Sequence, residues 1–433
     1  MKNLLGLVVL FATTYLFGQV QVTPDATGNL QLSHIIWMLQ ENQTFDEYFG
    51  HLNAYRTAHG EPASMDGTPV GASNPAYSGG GTVNAYHFTT VCFEDLTPSW
   101  NESRRDVNRS NPLSKTSFPM NGFVYSAANY AINEDKKHPG SYADTKGIRS
   151  MGYYTERELP YYYFMATQFA TSDRFFSPIL SRTNPNRLAN FAASALDVVN
   201  NIPSGSSFKQ KTIFTLLQNA GISWKIYELN GNTFLGYFSS YGAYKAAHVF
   251  PISQYFTDLK NGTLPAVAFI ETTGPQDEHP GENVQKGSAE AAIIINALRN
   301  SSSWASSAFI EAFDEGGGMY DHVPPQSAVI PDSIPPNLSA TDDKDTYSRT
   351  GFRIPLLVIS PFAKVGYVSH TVMDTTAVMK FIEIRFGLPS LTARDAAQPS
   401  MDEFFDWVNK PNLNAPAPPV QPTNAPCYYN KLP

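Results

Sequence analysis

The stretch Ser307–Pro325, SAFIEAFDEGGGMYDHVPP, decides how the rest of the chain is read. Its opening AFIEAF reads as a short, mostly apolar strand in which Phe309, Ile310 and Phe313 supply bulk. That strand delivers Asp314 and Glu315 straight into Gly316, Gly317 and Gly318, where the backbone is free to turn sharply and approach a ligand closely. Asp321 and His322 follow, before a stiff Val-Pro-Pro exit. In an open α/β sheet, ligands bind outside the carboxyl ends of the strands, which is where these acids fall. An isolated acid pair in a glycine turn is more often simply solvated. Its neighbours change that reading.

Working outward, Gln31–Leu39 (QLSHIIWML) is expected to be a buried strand, and it feeds directly into Glu41, Asn42 and Asp46. Pro265–Glu271 is a further strand that ends in a polar loop carrying Asp277, Glu278 and His279. Ser223–Tyr227 and Pro355–Ser360 complete the strand-like segments, with helices expected at Thr212–Ala220, Ala289–Arg299 and Thr375–Phe386, the last capped by Asp374 and closed by Gly387. Strands alternating with helices imply an α/β fold with a mostly parallel sheet covered on both faces. Glu156–Ala170 has helical spacing, and its aromatic stripe suits a core. It leads to Ser181–Arg187 (SRTNPNR), which predicts a helix start with Thr183 just before the helix and Pro185 in its first turn. Free N–H groups at such a start favour anions. Residues from about His51 to Asn111 read as a loop-rich insertion.

The 433 residues, 42% hydrophobic and 16% charged, are enough for a large core. A formal net charge of −8 argues against nucleic acid or an anionic membrane as the main partner. Met1–Phe17 has one basic residue and a short apolar core, the form of a secretory signal peptide with cleavage near Gly18 or Gln19. That core is short for a membrane span. The expected organisation is a signal peptide over 1–18, a catalytic domain over 19–408 and a proline-rich surface tail over 409–433, in an exported protein that is periplasmic or secreted. In an oxidising compartment Cys92 and Cys427 leave one bridge open, and neither has zinc-site spacing.

Glu41, Asn42, Asp314 and Glu315 form a hard oxygen set suited to Mg²⁺, Ca²⁺ or Mn²⁺. A divalent ion would offset the repulsion among the acids and lower the pKa of a nearby hydroxyl, for which Thr183 is the candidate. His279 is the candidate acid for a leaving oxygen. The plainer alternatives are that Thr183 only caps its helix and that His279 is an ordinary loop histidine.

At these residues a family resemblance becomes legible. Glu41–Gly50 (ENQTFDEYFG) resembles the ENRSFDHYFG-type motif of the bacterial phosphoesterase family that contains phosphatidylcholine-type phospholipases C and a group of acid phosphatases. SRTNPNR is similar to that family's GPT-x-PNR, and the likeness returns at DEHP, FDEGGGMYDHVPP, GFRIPLLVISPFAKVGYVSH and RFGLPSLTARDA, spanning Ser33 to Phe405. The resemblance implies an alkaline-phosphatase-like three-layer α/β sandwich with loop-rich insertions and one divalent metal ion. It implies metal ligands at Glu41, Asn42, Thr183, Asp314 and Glu315, a nucleophile at Thr183 that becomes phosphorylated, and His279 on the phosphate or the leaving group. Asn186, Arg187, Asp321 and His322 are carried over as substrate-binding. The implied substrate is a small phosphate ester or a phospholipid head group.

The chain departs from the family at Thr97-Pro98-Ser99-Trp100, at Asp374-Thr375-Thr376, and at Gly316, where a polar residue is common. Two of these changes remove family histidines, so the source of the leaving-group proton stays open, with His87 and His370 as substitutes. The alternatives are a catalytically weak exported protein that binds metal and anions, and a sulfatase or phosphonate-type hydrolase. SRTNPNR does not spell the usual sulfatase motif.

Overall fold

A computed structural model describes residues 31–432; the expected signal peptide lies outside the described residues. Eight strands make the central sheet: β1 (His34–Gln40), β2 (Ala170–Ser172), β3 (Trp224–Glu228), β4 (Val249–Pro251), β5 (Val267–Glu271), β6 (Ser307–Phe313), β7 (Leu356–Ile359) and β8 (Tyr367–Ser369). Their spatial order is β8-β2-β7-β6-β1-β5-β3-β4. All pairs are parallel except those of β7, which runs antiparallel to both β6 and β2.

Successive strand residues face opposite sides of a sheet. Every residue of β5 and β6 is buried, so both faces of the sheet are covered, the condition under which parallel strands become continuous apolar runs. The covering helices include α1 (Phe45–Phe49), α2 (Pro160–Gln168), α3 (Thr183–Ala192), α4 (Val284–Arg299) and α5 (Thr376–Phe386). Helix α4 packs on α2, and α5 packs on α3. Asn283 caps α4 by accepting from the N–H groups of Gln285 and Lys286. Asp374 Oδ1 accepts from Thr376 N at the start of α5, and Gly387, at φ 63°, closes it.

Register brings the functional ends together. Strand β1 lies between β5 and β6, with Leu39 opposite Glu271 and Gln40 opposite Phe313. The residues that follow these strands, Glu41, Thr272 and Asp314, therefore emerge side by side.

Several expectations need correction. The helix expected over Glu156–Ala170 is confined to Pro160–Gln168, because Pro160 opens it and Ala170 already belongs to β2. The segment from His51 to Asn111 is not only loop: it contains helices at Leu52–Ala58 and Trp100–Val107 and a short antiparallel pair, Ser73–Pro75 with Thr82–Asn84. The tail is extended but not merely laid on the surface. Cys427 is bonded to Cys92 across 335 residues, and Val91 N donates to Pro426 O at 2.8 Å.

Candidate active site

Beyond its last strand residue the β1 chain turns through Asn42, which adopts a left-handed φ of 65°. Asparagine tolerates that region better than most residues, and such conformations persist where the surroundings over-determine them. Here the Asn42 N–H donates to Asp314 Oδ1 at 3.2 Å, and the Glu41 N–H donates to Asp277 O at 2.8 Å. The Asn42 carbonyl also abuts Gly317. A Cβ on Gly317 would lie 2.3 Å from that oxygen, and its φ is 64°, so only glycine fits. The glycine run thus lets the β6 turn close against the β1 turn.

Thr183 is the first residue of α3, not the residue before it; Arg182 holds the cap position. The chain arrives there because Asn186 staples the preceding loop, accepting from Ile179 N at 2.8 Å and donating to Ser181 O and Arg182 O. In this position Thr183 Oγ1 donates to Asn42 Oδ1 at 3.3 Å.

One turn further along α3, the fully buried Arg187 guanidinium meets Glu41 at 2.9 Å and Asp314 at 3.2 Å, with Glu271 at 3.8 Å. Glu315 stands beyond them; its Oε2 accepts from Gly317 N at 2.6 Å, and its Oε1 is buried without a partner. Burial pushes the Glu41 carboxyl up to about 8, against the pull of Arg187 and with Asp314 and Asp277 adding to the rise. Burial also raises Asp314, despite Arg187, and raises Glu315 strongly, with Asp314 adding to it. Glu41, Asp314 and Glu271 thus share one guanidinium, Glu315 stands outside that set, and one oxygen each of Glu271 and Glu315 is left without a partner.

His279 stands at the exposed side of this group. Its side chain is 31% exposed, its Nδ1 donates to Pro280 O at 2.7 Å, and Asp95 lies 4.0 Å away. Burial lowers its pKa, but Asp95 and Glu41 outweigh that and the net shift is upward. With Nδ1 committed to a carbonyl, Nε2 is the nitrogen free to exchange a proton.

The structure places the four expected substrate-binding residues as follows. Asn186 and Arg187 are fully buried and engaged as described. Asp321 is also fully buried, and both of its oxygens accept from Arg353 Nε, at 3.0 and 3.1 Å. His322 lies between Asp46, at 2.7 Å, and Asp66, at 3.3 Å. Asp46 in turn accepts from Arg353 Nη2 at 2.9 Å. Against burial, Arg353 and His322 hold the Asp46 carboxyl below its usual range. Asp46, Asp321 and His322 place ligand-capable atoms within 4.8 Å of one another, so this trio too is compatible with a divalent cation. Arg353, however, already supplies positive charge to both acids. The substitute histidines stand elsewhere: His87 pairs with Glu158, and His370 pairs with Asp173.

The Glu41, Asn42, Thr183, Asp314 and Glu315 set fits a divalent ion by three features of its chemistry: hard oxygen donors, surplus negative charge and the orphaned Glu315 oxygen. Arg182 and Asp95 escaped the sequence reading. Arg182 adjoins Thr183, makes no ion pair among the described residues, and its charge lowers the pKa values of Glu315 and Asp95. Its signal was adjacency to the candidate hydroxyl; Asp95 gave none.

What the fold and these side chains define is an α/β enzyme with its site at the carboxyl ends of parallel strands. Its relatives make the class specific. The chain belongs to the Phosphoesterase family, whose model matches residues 32–389, and it is a hydrolase of phosphoric esters. Phospholipase C B of Mycobacterium tuberculosis is 28% identical, over 93% of this chain and 84% of its own length. The hemolytic phospholipase C of Pseudomonas aeruginosa is 28% identical, over 89% of this chain and 57% of its own length. Non-specific phospholipase C1 of Arabidopsis thaliana is 28% identical, over 88% and 72%. Among solved structures, a protein in the alkaline phosphatase superfamily from Vibrio parahaemolyticus matches with a TM-score of 0.37 and 12% identity, over 57% of this chain and 66% of that one.

Proposed function

We propose that this protein is an exported, phospholipase C-like phosphoesterase that works through transient phosphorylation of Thr183. The observation that carries the proposal is the Thr183 hydroxyl, fixed by Asn42 Oδ1 at 3.3 Å beside three carboxylates. Glu41, Asn42, Thr183, Asp314 and Glu315 would hold the divalent ion, which supplies Lewis acidity to the hydroxyl and to a phosphoryl oxygen.

The chain's own residues do the rest. Asn42 orients the Thr183 oxygen, which gives up its proton to solvent as it bonds to phosphorus. Arg182 and the first N–H groups of α3 meet the phosphoryl oxygens, as helix starts meet anions. Arg187 keeps Glu41 and Asp314 in place through the one ion pair that each acid makes among the described residues. As the bond from phosphorus to the alcohol oxygen breaks, His279 Nε2 gives that oxygen its proton. The neutral imidazole then takes a proton from the water that cleaves phosphothreonine, and the departing Thr183 oxygen recovers a proton from solvent, returning both groups to their starting state. The Asp95-raised pKa of His279 suits the first of these roles.

Relatives named phospholipases C along most of the chain support a diester substrate such as a phospholipid, over a simple monoester. The disulfide between Cys92 and Cys427 supports an oxidising compartment. No helix among the described residues is long and apolar enough to cross a membrane.

The test compares release from p-nitrophenyl phosphate and bis(p-nitrophenyl) phosphate by wild type and Thr183→Ala, before and after chelation. Turnover that favours the diester, stops on chelation and is absent in Thr183→Ala is expected. A fully active Thr183→Ala would remove Thr183 as nucleophile. Wild type that binds metal but cleaves neither ester would replace the enzyme reading with a binding one.

A further inference from the structure

The polar loop after β5 carries two ionisable neighbours in very different surroundings. The His279 side chain is partly exposed, while Glu278, one residue earlier, is fully buried. Glu278 also holds a left-handed φ of 69°. That region is uncommon for residues other than glycine, and less natural to glutamate than to the asparagine at position 42. Gly287 of α4 makes room for the side chain: a Cβ there would lie 2.2 Å from Glu278 Cγ. A strained backbone persists where its surroundings over-determine it, and such positions cluster at functional sites.

Much of what holds Glu278 comes from the β1 turn. Its Oε1 accepts from Gln40 Nε2 at 2.8 Å and from Tyr162 OH at 2.5 Å, and its Oε2 accepts from Tyr48 OH at 2.6 Å. Its carbonyl oxygen accepts from Gln43 Nε2. Gln40 and Gln43 bracket Glu41 and Asn42, and the Glu41 N–H donates to Asp277 O, just before Glu278, at 2.8 Å. The loop that carries His279 is thus fastened at three points to the turn that carries two of the ion-holding residues. His279 is bonded within that loop, its N–H to Asp277 Oδ1 at 3.0 Å and its Nδ1 to Pro280 O at 2.7 Å. Where the loop stands, the imidazole stands.

We propose that Glu278 is a positioning residue: by pinning its loop to the Glu41–Asn42 turn, it sets where His279 Nε2 stands relative to the phosphoryl group. The proposal rests on the phosphoesterase reading with His279 as the proton donor. A proton reaches the leaving oxygen only across a hydrogen-bond distance, and a misplacement of about 1 Å can cost about 100-fold in rate. Glu278 is fully buried, so its effect runs through the backbone it shares with His279.

The experiment measures kcat/KM for methyl phenyl phosphate and for methyl p-nitrophenyl phosphate with the full chain, and takes the ratio of the first to the second. Phenoxide leaves poorly and needs the proton, whereas p-nitrophenoxide leaves well without it. A variant that is merely less folded loses both rates equally and keeps the ratio. Glu278→Gly suits the left-handed φ but removes the carboxyl, and is expected to lower the ratio at least about tenfold. Glu278→Gln keeps the shape and one acceptor oxygen, and is expected to restore most of the ratio. Tyr48→Phe deletes one donor while keeping the ring; it is expected to lower the ratio in the same direction, and it decides the matter should Glu278→Gly not fold. A wild-type ratio in the glycine variant and in Tyr48→Phe overturns the proposal. So does a loss in Glu278→Gln equal to that in Glu278→Gly, which would make charge rather than placement the cause. His279→Ala is the control, and its ratio is expected to fall at least as far. If that control keeps the wild-type ratio, or wild type cleaves neither diester, the proton-donor reading fails separately. Hydrogen exchange at the Glu41 N–H then decides the pinning: faster exchange in Glu278→Gly than in wild type and Glu278→Gln upholds it, and equal protection in all three overturns it.

Discussion

Two acidic clusters in this molecule invite comparison: the Glu41, Asp314 and Glu315 group around Arg187, and the Asp46 and Asp321 group around Arg353. Both are buried, and both centre on one guanidinium. The second is nearly self-sufficient. Asp46, Asp66, Asp173 and Asp321 face Arg174, Arg353, His322 and His370, so acids and basic groups match in number when the histidines are charged. The first is not balanced. Glu41 and Asp314 share Arg187 with Glu271, Glu315 makes no ion pair among the described residues, and one oxygen each of Glu271 and Glu315 has no partner. Buried ions are tolerated when paired and hydrogen-bonded. The first cluster therefore carries a surplus of acid that an outside cation would offset, whereas in the second, whose Asp46, Asp321 and His322 atoms also lie within 4.8 Å of one another, the acids are already paired.

The largest expected effect tests chemistry at the first cluster. Thr183→Ala should lose at least about 1,000-fold in kcat, as removal of a nucleophile does elsewhere, while its circular dichroism stays that of wild type. Steady-state assay on a diester checks this, and a loss smaller than tenfold would end the claim to a nucleophile.

The next test sets the clusters directly against each other in chelated protein. Arg353→Met strands Asp46 and Asp321 and should destabilise by about 3–5 kcal/mol, the range for a broken buried pair. Asp314→Asn removes surplus charge and should shift stability by no more than about 1 kcal/mol, in either direction. Urea midpoints at neutral pH provide the comparison. Equal losses would erase the difference between the two clusters.

Metal addition sharpens it further. Mn²⁺ at one hundred times its Kd should stabilise wild type by about 2.7 kcal/mol. That increment should vanish in Asp314→Asn and survive in His322→Ala. The reverse pattern would move the ion to the Asp46 cluster.

A last test concerns a third group of acids, deeper in the core. Tyr162 OH lies 2.5 Å from Glu278 and 2.8 Å from Glu311, and one hydroxyl has a single proton to donate between two carboxyls. Burial pushes Glu278 to about 7 and Glu311 to about 8. Both values lie above the unfolded range, so the folded state binds more protons than the unfolded state between about pH 4.5 and pH 8. Stability from these groups is therefore complete below the unfolded pKa and is lost as pH rises through 7 to 8. The slope should approach about 1.4 kcal/mol per pH unit for each group across that window. Glu311→Gln should flatten it while keeping a partner for Tyr162, and thermal midpoints from pH 5 to 9 will show whether it does.

Much of the fold was readable because it rests on local pattern. The apolar run of β6, the Asp374 cap and the Gly387 stop each depend on side chains within a turn or two of one another. Thr183 was legible as a helix start, but its place one residue inside the helix was not. That place is set by the Asn186 staple to Ile179, Ser181 and Arg182. Where the long Arg187 side chain ends was not legible in Asn-Pro-Asn-Arg; packing turns it inward onto Glu41 and Asp314.

By itself, then, the sequence determined the kinds of groups present and their order along the chain: strands ending in oxygen donors, a hydroxyl at a helix start, and two cysteines 335 residues apart. Period, turn chemistry and caps are short-range, and a chain carries them openly. Packing alone settles which acids share a guanidinium, which oxygens are left without partners, and where the tail is bonded back to the body. Those outcomes depend on register between strands remote in sequence and on which buried charges meet. Such pairings are fixed by packing and by the high free energy of an unpaired charge in the core, and no local pattern records them.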